Sequence, residues 1–141
     1  MLKQIPKVLS PELVKVLMEM GHGDELVIAD GNYPAAANAQ LLVRQDGLGV
    51  PELLSAILTL LPIDTYVSSG IALMSVVEGD AEPAIWEEFK TIFSQQSVEN
   101  DSLEFLERSA FYERGKQAYA ILATGEEAIY ANIILRKGVV K

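Results

Sequence analysis

His22 is the only histidine of the chain. It stands between Gly21 and Gly23, eight residues before an Asp30-Gly31 pair. Flanking glycines let the backbone approach a ligand closely and leave an imidazole unshielded by neighbouring side chains. With an ordinary pKa of about 6.5, an imidazole so placed suits proton transfer near neutrality. The competing reading is a histidine that caps the carbonyls ending the preceding helix, where a cation is favourable. Asp30 closes the strand-like run ELVIA. In open α/β sheets ligands collect outside the carboxyl ends of strands, so Asp30 is placed to act as a base or to accept from a hydroxyl. Its plainer alternative is an Asx-turn before glycine.

Later segments add hydrogen-bonding groups. ERSAFYER (107–114) sets Arg108 and Arg114 around two aromatics. A guanidinium offers a fork of donors for vicinal hydroxyls or a carboxylate, and its ordinary alternative is ion pairing with Glu107 or Glu113. Tyr130 and Asn132 alternate at the start of a strand and so share a face, where a phenol and an amide suit a polyol. Asn32, Tyr33 and Tyr112 are further candidates to line the same cleft, the two tyrosines as an apolar face for a sugar. With one histidine and no cysteine, a catalytic zinc site and a thiolate nucleophile are not expected. The chain has no G-x-S-x-G elbow, no P-loop and no G-x-G-x-x-G. What remains is a set of proton-transfer and hydroxyl-binding groups, which matches a proton shuttle on a neutral, hydroxyl-rich substrate.

The elements that must position these groups follow from patterning. Ser10-Pro11-Glu12 opens a helix, with a capping serine, proline at the first position and an acid in the first turn. Leu13, Val16, Leu17 and Met20 recur at helical spacing, and Gly21 ends it. A second helix is predicted over 50–62, from Pro51 near its start to Pro62, and a third over 82–96 with Ile85, Trp86, Phe89, Ile92 and Phe93 on one face. Strands are predicted at 25–29, 40–44, 118–124 and 132–138. The almost unbroken apolar run 70–80 suits a strand covered on both faces. Residues 103–108 read as a strand leading into a short helical piece, SAFYERGKQ, and GNYPAAAN as an irregular loop. Alternating helices and strands, without repeats or a linker, indicate a single α/β domain over 1–141.

Composition narrows the partners. Eleven Lys plus Arg against twenty Asp plus Glu give a net charge of −9, which leaves no basic stripe for nucleic acid or an anionic membrane. Half of the residues are hydrophobic and mean hydropathy is +0.21. Either a Leu- and Ile-rich core or apolar surface buried between subunits accounts for that, and the second points to a homo-oligomer. LLSAILTLLPI is too short to span a bilayer, and MLKQIPKVLSPEL is not a signal peptide. A cytoplasmic protein is expected.

Three stretches, taken in order, resemble the L-fucose mutarotase and D-ribose pyranase family: SPELVKVLMEMGHGDELVIADGNYPA, AFYER after Arg108, and YANIILRKGV. The likeness covers essentially the whole chain. RSAFYER and RQDG are more similar to the fucose branch, and the second histidine of the ribose branch is missing here. The resemblance implies a layered α/β fold, a central mixed sheet flanked by helices, as in ribose pyranases. It also implies cofactor-independent interconversion of sugar anomers by opening and reclosing the ring. Ring-shaped homo-oligomers follow as well, decameric in bacterial members, with sites close to subunit boundaries. Carried over by position, it makes His22 the acid/base residue, with Asp30 or Tyr130 as the second proton carrier. Asp30, Arg108 and the segment Tyr130, Ala131 and Asn132 bind the sugar, with no metal. Two rivals come from other classes. One is a phosphohistidine carrier of a sugar-uptake system, the other a monosaccharide-binding module without turnover.

Overall fold

The computed structural model describes residues 1–98 and 103–141. Its core is one six-stranded sheet of β1 (Glu25–Ala29), β2 (Leu42–Gln45), β3 (Ile71–Met74), β4 (Glu104–Leu106), β5 (Ala120–Thr124) and β6 (Ile133–Arg136), in the order β2-β5-β1-β6-β3-β4. The pairs β2/β5, β5/β1 and β3/β4 are parallel, and β6 runs antiparallel to both its neighbours. Strand alternation sorts side chains to two faces. Leu26, Ile28, Leu122, Ile133 and Leu135 face one apolar cluster, while Val27, Ala29, Ile121 and Ile134 face the other. The first cluster is closed by α1 (Pro11–Glu19), α3 (Val50–Leu58) and α4 (Ile85–Gln95), the second by α2 (Ala35–Asn38) and α5 (Arg108–Gln117). This is the mixed sheet with helices on both faces that the sequence leads one to expect. Among the described residues no helix is long and apolar enough to cross a membrane.

Local rules explain most boundaries. Ser10 Oγ accepts from the Leu13 N–H at 3.1 Å, so α1 starts at Pro11 with the cap expected of it. Leu13, Val16 and Leu17 are buried from α1, and Ile85, Trp86, Phe89 and Phe93 from α4.

Other boundaries move. GNYPAAAN is not irregular throughout, because Pro34 leads into the short helix α2, where the strong helix-former alanine fills three successive positions. The run 70–80 pairs only over Ile71–Met74 and continues as a loop, since β4 is three residues long and gives it no further partner. Arg108 begins α5 rather than ending a strand, and α3 stops at Leu58, short of Pro62.

Candidate functional site

The polar groups singled out from sequence lie at two ends of β1. At its carboxyl end, Asp30 is 4% exposed and Asn132 likewise 4%. They form a reciprocal pair: the Asp30 N–H donates to Asn132 Oδ1 at 2.7 Å, and Asn132 Nδ2 donates to Asp30 Oδ2 at 3.0 Å. The antiparallel register of β1 and β6, Ile28 opposite Ile133, brings the two residues side by side. Asp30 Oδ1 also accepts from the Asn32 N–H at 3.0 Å, so the Asx-turn is present as well. Burial pushes the Asp30 carboxyl above its ordinary pKa, and the amides of Asn32, Ala131 and Tyr33 with the Asn132 side chain offset only part of that. A cleft of about 340 Å³ opens beside Asp30, with Gly31, Tyr33 and Thr124 among its walls.

Tyr130 stands next to this pair in a left-handed conformation, φ 56°, uncommon for a residue with a side chain. Its phenol donates to Asp80 Oδ2 at 2.7 Å and accepts from the Val77 N–H at 3.3 Å, while its carbonyl accepts from Trp86 Nε1 at 2.9 Å. Both ends of the residue are thus held, and the loop after β3 is tied to the start of β6. The Asp80 carboxylate raises the Tyr130 pKa, which keeps the phenol protonated through neutral pH. A depression of about 310 Å³ lies at this loop, lined by Ser75, Asp80, Trp86 and Phe105. The last two are aromatic rings 5.4 Å apart.

Arg108 is exposed at the first position of α5 and makes no ion pair among the described residues. Its charge acts on the Tyr130 phenol. Arg114 is not available to a ligand. It binds Glu25 through Nε and Nη2, the shortest bond 2.6 Å, and Glu104 through Nη1 at 2.7 Å, so it pairs across the fold rather than with adjacent Glu113. Tyr33 is buried, with its ring roughly perpendicular to those of Phe111 and Tyr112.

His22 lies at the opposite, amino end of β1. There the Gly23 N–H donates to Lys137 O at 2.9 Å and Lys137 N–H to Asp24 O at 2.8 Å. The imidazole does not cap α1. Its Nε2 is 3.1 Å from Asp64 Oδ1. Asp64 is 1% exposed; it accepts in addition from the Tyr66 N–H at 3.0 Å through Oδ1 and from Arg136 Nε at 3.0 Å through Oδ2. Against the pull of burial, these three hydrogen bonds hold its carboxyl below the usual carboxylate range. The Tyr66 ring centroid is 5.5 Å from that of His22. At Gly23, φ 89° and a neighbouring Arg136 Nη2 only 3.2 Å from where a Cβ would stand both call for glycine.

Five residues of β1, at a rise of about 3.3 Å each, put roughly 16 Å between these two ends. Within one chain, then, Asp30, Tyr130, Ala131 and Asn132 are together, Arg108 is near the phenol, and His22 is apart from them. Asp64 and Asp80 were not singled out from sequence, and Trp86 only as part of the apolar face of its helix. Asp64 lies 42 residues from its imidazole partner, and nothing in the order of residues signals that contact.

The fold and site define a layered α/β domain with a buried carboxylate–amide pair at one end of its central strands and a carboxylate-bound imidazole at the other. The chain belongs to the RbsD / FucU transport protein family, whose model matches residues 3–140. It is 49% identical over 145 residues to the fucose mutarotase of Homo sapiens, which covers 98% of this chain and 94% of that protein. The crystal structure of the fucose mutarotase from Streptococcus pneumoniae, in complex with L-fucose, superposes with a TM-score of 0.97 at 54% identity, covering 99% of this chain and all of that one. Bacillus subtilis RbsD, solved with D-ribose, shares the fold with a TM-score of 0.74 at 23% identity over 94% of this chain and 95% of its own.

Proposed function

We propose that this chain is a cofactor-independent mutarotase that interconverts the α and β anomers of L-fucose or a closely related aldose. The observation that carries the reading is its likeness, over almost its full length, to a fucose mutarotase solved with L-fucose. The reaction needs a proton taken from the C1 hydroxyl and another delivered to the ring oxygen. The open aldehyde then turns about C1–C2 and closes on its other face. His22 carries one proton, and Asp30 or Tyr130 carries the other. Arg108, Asn132 and the backbone of Ala131 hold hydroxyls. Ala131 is fully buried, so its contribution is that of its peptide groups.

Because His22 and Asp30 stand at opposite ends of β1, one sugar cannot touch both within a subunit. In this reading the His22 of one copy completes the Asp30–Tyr130 site of the next. Such a contact is heterologous and closes into a ring when its rotation permits. A decamer working in the cytoplasm is the assembly we infer. The phosphocarrier alternative is disfavoured by the position of His22 after a helix C-terminus and by the Asp64 carboxylate on its Nε2, both of which repel a phosphoryl group.

NMR saturation transfer between the anomers of L-fucose tests the proposal. Wild-type protein accelerates exchange, and His22→Gln and His22→Ala lose about 10²–10⁴-fold of that acceleration. Wild-type exchange in both variants removes His22 from the mechanism, and L-fucose binding without any acceleration by wild-type protein leaves only a binding module.

A further inference from the structure

We infer that Asp64 is a positioning residue: it binds the Nε2 proton of His22 and so leaves Nδ1 as the nitrogen that meets the substrate. The inference rests on the reading of His22 given above.

The asymmetry of the pair carries the argument. His22 sits on a turn between two glycines with its side chain 47% exposed, so nothing in its own segment selects one ring orientation or one tautomer. Its only side-chain hydrogen bond among the described residues is the one to Asp64. Asp64, by contrast, is fixed from every side. Its N–H donates to Arg136 O at 3.0 Å, its two oxygens are engaged by Tyr66 and Arg136, and Ile63 bridges to Lys137. Its backbone is also seated between two glycines. A Cβ on Gly70 would stand 2.8 Å from Asp64 O, and one on Gly138 would stand 2.8 Å from Asp64 N. The orienting influence therefore runs from the buried, multiply bonded carboxylate to the half-exposed imidazole.

Chemistry fixes the sense of the bond. An ionised carboxylate only accepts, and Asp64 is held ionised by the Tyr66 N–H, His22 and Arg136 together, so the nitrogen facing it carries the proton. In the neutral ring the second nitrogen is then a bare acceptor, the state a general base requires. A purely stabilising ion pair is the weaker account, because the pair is charged only when His22 is protonated and Arg136 already neutralises Asp64.

The lone histidine makes this measurable in the full-length protein. Labelling with ¹⁵N-histidine gives one pair of ring nitrogens, observed above the imidazole pKa, at about pH 8.5. Wild type is expected to show Nε2 protonated and Nδ1 bare. Asp64→Asn is expected to show mixed or reversed tautomers and to lose about 10²-fold in L-fucose anomer exchange. Arg136→Gln removes the ion pair but keeps the carboxylate, and is expected to keep the wild-type tautomer. A wild-type spectrum with Nδ1 protonated overturns the inference, and so does a folded Asp64→Asn that retains the wild-type pattern. If Asp64→Asn does not fold, the wild-type spectrum and Arg136→Gln decide. The expected tautomers combined with wild-type exchange in His22→Gln would overturn the role given to His22 in the reaction while leaving its pairing with Asp64 in place.

Discussion

Asp30 is the residue whose environment departs furthest from what its neighbours in sequence suggest. It follows a strand and precedes a glycine, which makes a turn aspartate the natural reading, and the Asn32 N–H confirms that turn. Yet the second oxygen and the backbone N–H are both given to Asn132, 102 residues away. Burial raises its pKa above the unfolded value of about 3.9. Between the two values the folded chain binds more protons than the unfolded chain, so stability declines as pH rises through that window. Asp30→Asn does not titrate. In urea unfolding followed from about pH 4 upward, the stability of wild type relative to this variant should fall and then level off above the folded pKa. A flat difference would show that burial does not shift this carboxyl.

At the level of elements, α5 illustrates where sequence reading succeeds and where it stops. Its start after a short strand is legible from the break in apolar residues before SAFYERGKQ. The role of Arg114 is not, since its partner Glu25 lies 89 residues away at the start of β1 and only the folded sheet brings them together. That fork ties α5 to β1 and β4 with Arg114 24% and Glu25 14% exposed. Arg114→Met should lower stability by about 1.5–3 kcal/mol in urea titration, because Glu25 loses its charged hydrogen bonds. Arg114→Lys should recover only part of this, lacking the planar fork. The strand β1 was readable to the residue because Asp30-Gly31 punctuates it. The end of β3 was not, because Val76 and Val77 keep the apolar run going into the loop that holds the Tyr130 phenol. Hydrophobic patterning reports burial, and it is silent on which strand has a partner.

For the molecule as a whole, the sheet order and the direction of β6 were beyond the reach of local pattern. They decide that Asn132 meets Asp30 while Arg136, at the other end of the same strand, meets Asp64. The proposed shared site has a direct test at this scale. His22→Ala and Asp30→Ala should each be inactive alone. Co-expressed in equal amounts and mixed at random around a ring with heterologous contacts, they should recover about a quarter of the wild-type sites. Recovery of none would mean that both groups must come from one subunit.

The shared site proposed above has a last consequence in solution. On that proposal a lone subunit owns every reactive group and no working centre, so turnover becomes a gauge of association. Diluted below the point at which neighbours part, the protein would fall silent with its helices and sheet intact, and crowding it again would restore its voice.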